Sequence, residues 1–431
     1  MSLLNLPSDN ILEFALFLPL HEISHLCQTS SRFNRLICNN NYFWKLKFIK
    51  DFGEISYTGD WRYLYQNHMN LWATGDNGSV QLGLGDYEDH STFENIIDFK
   101  AKQVSAGGEH TVVIDVNDIV WSFGKGDDGE LGLFSEKSRN TPHQVTINRR
   151  SFKAKQVSAG YEHTIAIDLD DNVWGFGNNQ DGQLGLDGDI DDLENKFIPT
   201  QLENFKAKQV SAGERHTILI DLNDNVWSFG SSSEGQLGLG DGEFHITTPT
   251  QVFFNNKPFK AKQVSTRSTH TVVIDLNDNV WAFGENDSGQ LGLGDNINRD
   301  EPTMIENLKA KEVSVGSGFT LIIDLDDNVW SFGSNSDGQL GLGNNDDQHT
   351  PQQVMLGKKP FKAQQISAGA FHTVVIDLGN NIWVCGDNES GELGLGDIDK
   401  TRNKLTLVDY FKAKQVSAGH THTMMIGTLV R

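Results

Sequence analysis

Six histidines, His110, His163, His216, His270, His372 and His422, each stand immediately before a threonine. Imidazole is the side chain most suited to proton transfer or metal ligation near neutral pH. A catalytic or metal centre, however, has no need of one such group per repeat unit. The six read as structural histidines hydrogen-bonded within their units, and Phe319 fills the same slot in another copy. Loops such as GQLGLG resemble phosphate cradles, but no Lys-Ser/Thr pair and helix follow them. Their glycines are expected to permit turns and close backbone approach. The run Asp187-Gly188-Asp189-Ile190-Asp191-Asp192 hints at calcium, yet Asp192 and Ile198 stand where an EF-hand loop needs Gly and Glu. It reads as a solvated acidic loop. Cys27, Cys38 and Cys385 are odd in number and lack CxxC spacing. They predict neither a disulfide framework nor a zinc site, and they fit a reducing compartment. No G-x-S-x-G signature is present. The expectation is a protein that is not an enzyme, with no cofactor and no metal.

These residues are carried by a repeat. VSAGGEHTVVID at Val104 returns as VSAGYEHTIAID at Val157 and VSAGERHTILID at Val210. Further copies start at Val264, Val313, Ile366 and Val416, with steps of 53, 53, 54, 49, 53 and 50 residues. A tryptophan phrase, WSFGKGDDGELGL at Trp121, interleaves with it and recurs from Trp72 to Trp383. Each unit holds three alternating or β-branched runs, KQVSAG, HTVVIDL and NVWSFG. A fourth lies near Pro199, Pro249 and Pro351, where an edge strand tolerates proline. Asp221-Leu222-Asn223-Asp224-Asn225 and its equivalents suit tight hairpins that need a left-handed residue. Four strands per ~50 residues, repeated, specify a β-propeller. Trp72 has no VSAG phrase before it, and Val416 has no tryptophan phrase after it. The two half-units should pair in one blade split between the chain's two ends, which closes the ring and removes two open edges. The fold class is therefore mainly β, with seven blades. Seven of the nine tryptophans occupy the repeat position and are expected in the core.

GQLGLGD, VSAGxxHT and NVWSFG resemble the repeats of the regulator of chromosome condensation family. The resemblance covers residues 71–427 and implies the seven-bladed propeller of the Ran nucleotide-exchange factor and many unrelated proteins. It specifies fold far better than function. Light-sensing members carry Gly-Trp-Arg-His-Thr; the stretch here reads Gly213-Glu214-Arg215-His216-Thr217, without the tryptophan.

Residues 1–70 lack the repeat and show short helical stripes, such as Ile11, Leu12, Ala15 and Leu16 after Ser8 and Asp9. A last short helix is expected to open at Asp60-Trp61-Arg62. Leu6-Pro7, Ile11, Leu18, Leu26, Ser31-Arg32-Phe33 and Phe43-Trp44 occur in the order of an F-box, and this small all-α module resembles one. The resemblance implies that Leu6, Pro7, Ile11, Leu18, Leu26, Phe33 and Trp44 bind a Skp-type adaptor, and through it a cullin ligase. Without that resemblance the segment reads as a helical cap on the propeller.

Formal net charge is -23 over 431 residues. Residues 1–70 hold six basic and six acidic side chains, so the whole deficit sits on the propeller. Such a body repels phosphate backbones, and no nucleic-acid partner is expected. Asp9 and Glu13 interrupt the N-terminal apolar stretch, so neither a signal peptide nor a membrane segment is expected. Cytoplasmic residence is expected, with the nucleus as the alternative. Recognition should lie where the copies differ, in the two residues between Gly and His-Thr. Glu109, Tyr161, Glu162, Glu214, Arg215, Phe371 and His420 occupy those positions, and Arg267 stands where other copies have Gly. These eight are the candidate surface for a protein target. The expected function is the substrate-recognition subunit of a Skp–cullin–F-box ubiquitin ligase. The alternatives are an exchange-type regulator of a small GTPase and a scaffold unconnected to a ligase. Tyr161 and Arg215 stand where the exchange factor would carry acids, and no basic N-terminal tail is present.

Overall fold

The protein is described from a computed structural model that covers residues 8–18, 20–52, 61–62, 69–186, 188, 193–240, 244–398 and 400–430. Antiparallel strands form seven blades. In blade 1 the inner strand is the end of His90–Ala106. It pairs with His110–Asp115, then Val120–Gly124, then the outer strand Arg139–Gln144. Blades 2 to 6 repeat this order, with second strands His163–Asp168, His216–Asp221, His270–Asp275, Phe319–Asp324 and His372–Asp377. Blade 7 is split, as the half-units predict. Its inner strands Phe411–Ala418 and His422–Leu429 come from the C-terminal end, and Asn70–Gly75 and the start of His90–Ala106 complete it. Six register pairs, from Asn70↔Gly427 to Gly75↔His422, zip the two ends together. The outer strands do carry the prolines, Pro142, Pro199, Pro249, Pro302 and Pro351.

The hairpin turns follow their sequence. Asp118, Asp171, Asp224, Asp278 and Asp327 all adopt a left-handed φ near 70°. At each turn the preceding Asp accepts two backbone N–H groups, as Asp221 does from Asn223 and Asn225 at 2.8 Å. The other oxygen of Asp221 accepts the Trp227 indole N–H at 3.1 Å. Each tryptophan is therefore pinned at its polar edge and only partly buried. The expectation of a core position is refined accordingly: the ring lies at the blade margin, edge-on to a phenylalanine, as Phe205 and Trp227 show at 5.3 Å. In blade 7, where Gly427 replaces the Asp, Trp72 donates to the Gly427 carbonyl instead.

The blades are joined by rings of side-chain bonds around the axis. Each inner-strand serine accepts the backbone N–H of the next blade. The order runs Ser105 to Ala159, Ser158 to Ala212, Ser211 to Thr266, Ser265 to Val315, Ser314 to Ala368, Ser367 to Ala418, and Ser417 back to Ala106. The seven bonds span 2.9–3.1 Å and close without a gap. Histidines form a second ring one strand outward, and here a prediction is corrected. Their bonds cross to the next blade rather than staying within one. His110 meets Thr164 at 2.9 Å, His163 meets Thr217 at 3.0 Å, and His422 returns to Thr111 at 3.0 Å. Every such threonine spends its own proton on a backbone carbonyl, as Thr164 does on Glu130 and Thr423 on Glu392. The imidazole Nε2 must therefore be the donor, which leaves Nδ1 bare and buried. Burial pushes all six imidazoles down to about 3, so they stay neutral. Phe319 omits one link, toward Thr373.

The GQLGLG loops serve packing. A Cβ on Gly83 (φ 70°) would lie 2.6 Å from the Phe123 ring of the next blade. Cys385 stands at that ring's position in blade 6 and is buried against Gly341, which explains the lone thiol.

The N-terminal module comprises α1 (Ser8–Ala15), α2 (Leu20–Thr29), α3 (Ser31–Phe33) continuing as a wider π-helical turn (Asn34–Cys38), and α4 (Asn41–Phe52). The Asn40 side chain caps α4 by accepting the N–H groups of Tyr42 and Phe43, 3.1 and 3.3 Å away. Ile11, Ala15, Ile23, Phe33, Ile37, Phe43, Trp44 and Trp61 form one core, and Val430 of the C-terminal end packs against it. Trp61 and Arg62 are helical; the rest of the expected last helix lies outside the described residues. Cys27 and Cys38 are joined as a disulfide, with Cα atoms 6.2 Å apart. This corrects the expectation, drawn from their odd number and spacing, that the cysteines form no disulfide framework. Packing of α2 on the π-helical turn brings the two together, and their spacing of 11 residues gives no hint of it.

Two outcomes follow from the rings. Thr423→Val removes the acceptor for the buried His372 N–H and should cost about 1–3 kcal/mol. Thr373→Val, facing Phe319, strands no imidazole and should cost less; equal losses in thermal unfolding would show that the histidine ring carries nothing. Glu312 stands where six copies have Gln. It accepts the Ile366 N–H at 3.0 Å, and burial raises its carboxyl to about 7. The native state then holds this proton more tightly than the unfolded chain. Its contribution to stability falls as pH rises from 4.5 to about 7 and stays low above. Glu312→Gln should match the parent at pH 4 and exceed it at pH 8 by on the order of 1 kcal/mol in chemical denaturation.

Candidate functional site

The inner strands end at the Gly-x-x-His loops, and these loops surround one mouth of the central channel. A cavity of about 160 Å³ opens there. Its wall is the serine ring, its rim includes Tyr161, Glu214 and His420, and Arg267 enters it from blade 4. The structure thus gathers these four sequence-chosen residues around one opening. Phe371 adjoins His420, with ring centroids 6.0 Å apart, and Tyr161 meets His420 edge-on at 5.5 Å. These three rings form an aromatic arc across blades 2, 6 and 7. Tyr161 and Phe371 are 39% and 38% exposed, enough to offer a face to a partner.

The charged candidates on the rim are paired. Glu109 and Glu162 share Lys125 at 3.7 and 3.2 Å. Burial lowers the Lys125 ammonium, but Glu162, Glu109 and Glu130 outweigh it and hold it above the ordinary range. Glu214 accepts from the Ser268 hydroxyl at 3.1 Å and lies 3.8 Å from Arg215. Arg215 also reaches Asp181 at 3.6 Å and points outward. Burial, aided by Arg267, lowers the His420 imidazole, so it is neutral near pH 7.

Arg267 behaves differently. Where other copies have Gly, the loops are tied blade to blade by backbone bonds, such as Gly108 N–H to Gly160 and Tyr161 N–H to Gly213. The Arg267 side chain instead spans the channel mouth. Its Nη1 donates to the carbonyls of Ala368 and Ala418, at 3.3 and 3.0 Å, on blades 6 and 7. Burial lowers the guanidinium to about 10, so it remains charged.

On the helical module, Leu6 and Pro7 lie outside the described residues. Ile11, Phe33 and Trp44 are 1%, 4% and 2% exposed and belong to the module's own core. Trp44 donates its indole N–H to the Cys38 carbonyl at 3.1 Å. Leu18 and Leu26 are partly buried against the same core. The stripe therefore shapes the module more than it forms its outer face. Among the described residues, Phe14, Phe17 and Tyr42 are the large apolar side chains that reach solvent there, at 43%, 71% and 65% exposure. The apolar stripe of the sequence does not single them out: Phe14 flanks the buried Ile11–Ala15 stripe of α1, and Phe17 lies in the turn just past that helix.

Among the described residues no cluster of three or more His, Cys, Asp or Glu is placed to hold a metal, and no helix is long and apolar enough to cross a membrane. Of the acidic run at 187–192, only Gly188 is described.

Residues 67–425 match the RCC1-like domain. The chain belongs to that family. Residues 3–45 match the F-box domain, so the helical module is an F-box. Arabidopsis thaliana "Ultraviolet-B receptor UVR8" is 34% identical over 249 residues, which are 56% of this chain and 54% of that protein. Human "Probable E3 ubiquitin-protein ligase HERC6" is 31% identical over 57% of this chain and 24% of its own length. The chain thus spans about half of the plant receptor and a quarter of the human protein. Among solved structures, Prp20p of Saccharomyces cerevisiae shares the fold with a TM-score of 0.75 at 19% identity, covering 85% of this chain and 93% of that one. Human WBSCR16 does so with a TM-score of 0.74 at 19% identity, covering 83% of this chain and all of that one.

Because Tyr161, Arg215 and Phe371 contribute rim contacts rather than ring bonds, Tyr161→Ala, Arg215→Ala and Phe371→Ala should each leave unfolding stability within about 0.5 kcal/mol of the parent. Thermal denaturation checks this, and a large loss would assign the residue to the scaffold.

Proposed function

We propose that this protein is the substrate-recognition subunit of a Skp–cullin–F-box ubiquitin ligase. The observation that carries the reading is the joining of an F-box to an RCC1-like propeller that presents an aromatic, charged mouth on a rigid ring. The likeness of the propeller to human proteins described as probable E3 ubiquitin-protein ligases supports a place in ubiquitin transfer. In this reading the chain performs no bond chemistry. The F-box binds a Skp-type adaptor, and through it a cullin. The propeller mouth, with Tyr161, Arg215, Phe371 and His420, holds the target. Tethering raises the local concentration of target at the transferring enzyme. Residence where such ligases assemble, the cytoplasm, belongs to the same proposal.

The adaptor contact is expected to be apolar and helical. Leu6 and Pro7 belong to it by the F-box pattern, and Phe14 and Phe17 by their exposure. Calorimetry of the full chain with a Skp-type adaptor should give micromolar or tighter binding, lost in the Leu6→Ala/Pro7→Ala double variant. A folded parent chain that binds no such adaptor would sink the ligase reading.

A further inference from the structure

The propeller carries formal charge in large excess of acid, yet its channel mouth holds a cation whose partners are only carbonyls. No carboxylate forms an ion pair with Arg267 among the described residues, while the rim acids Glu109, Glu162 and Glu214 have Lys125 or Arg215. Among the described residues only Nη1 of the guanidinium is engaged. The Nε and Nη2 edge makes no hydrogen bond among the described residues, and neither atom is sealed from solvent. That edge is the fork that meets a carboxylate through two parallel bonds.

The serines add a second, independent observation. Each of the seven uses its oxygen to accept a neighbour's N–H, and among the described residues only Ser211 also donates, to the Thr266 carbonyl at 3.4 Å. The hydroxyl protons of Ser105, Ser158, Ser265, Ser314, Ser367 and Ser417 are committed to no acceptor among the described residues, and all six side chains line the cavity. A cavity walled by uncommitted O–H donors and entered by one open guanidinium fork is built for an anion. Its volume, about 160 Å³, admits a small group and not a folded surface. One cation behind a rim of three carboxylates favours a monoanion, because a dianion would bring an uncompensated charge into that field.

We propose that the channel mouth binds a carboxylate of a peptide segment in the target, held by the Nε/Nη2 edge of Arg267 and the serine hydroxyls. Neighbouring side chains of the segment lie against Tyr161, His420 and Phe371. The carboxylate comes from the segment's C-terminus or from an Asp or Glu side chain. The proposal rests on the reading that the propeller takes a protein target, and not on the adaptor contact.

Arg267→Gly is the decisive variant, because Gly is the residue that other copies carry at this position and the scaffold accepts it. Three randomised peptide pools would be titrated onto the full chain by fluorescence polarisation. One has free C-terminal carboxylates and no internal acids, one is amidated with internal Asp and Glu, and one is amidated and acid-free. The parent chain should retain one of the two acidic pools over the acid-free pool, and which one identifies the source. Arg267→Gly should weaken that binding about tenfold or more, with Arg267→Lys between the two. Equal binding by the parent and Arg267→Gly, or no preference of the parent for either acidic pool, overturns the proposal. Adaptor binding measured on the same variants should be unchanged. A parent chain that binds carboxylate peptides but no adaptor would count against the ligase reading alone.

Discussion

The architecture depends on bonds that run around the propeller axis. Hydrogen bonds along the strands hold each blade together, but they do nothing to keep one blade beside the next. Apolar packing between blades and backbone bonds between the Gly-x-x-His loops share that task with the unbroken serine ring and the histidine–threonine bonds outside it. Both chains of bonds are buried polar systems in which each donor removed strands its acceptor, so the blades are coupled more tightly than apolar contact alone would make them. The ring has to close on itself, and the split blade achieves this by pairing Asn70–Gly75 with His422–Leu429. The two ends of the array are thereby fixed in one sheet.

This rigidity bears on recognition. The Gly-x-x-His loops leave the inner strands only a few residues after the serines, so the ring sets their positions. Tyr161, Phe371 and His420 come from three different blades and still meet. A target meets a surface whose ordering has already been accomplished by folding, which favours affinity. Departures from the repeat are concentrated at the same end. Thr266-Arg267 replaces Ala-Gly, and the Thr266 hydroxyl contacts both His216 and the His270 carbonyl. One blade has exchanged a scaffold residue for a charged one, while the ring behind it absorbs the change.

The F-box follows a different physical rule. Its helices are too short to be stable alone, and they hold together through one shared core and local caps such as Asn40. The residues that mark the motif most clearly in sequence, Ile11, Phe33 and Trp44, are those the core consumes. A motif of apolar residues records what must be buried, and burial within the module satisfies it as well as burial against a partner does. This is why the stripe identified the module but not its exposed face.

The sequence by itself determined the propeller, the number of blades, the split blade, the left-handed aspartates of the hairpins and the F-box. All of these depend on local spacing, on period-two alternation, or on counting copies, and each copy reports the same answer. It also marked Arg267 as the residue out of pattern. Only the tertiary structure decided where the histidines bond, that Cys27 meets Cys38, and that the tryptophans lie at blade margins. It alone showed Arg267 crossing the channel to blades 6 and 7, with one edge left open among serine hydroxyls. The histidine and Arg267 contacts involve partners fifty or more residues away, the disulfide joins helices packed at an angle, and the tryptophan positions depend on strands paired across a blade. A repeat fixes what each unit does to itself, whereas contacts between units arise only once the ring has closed.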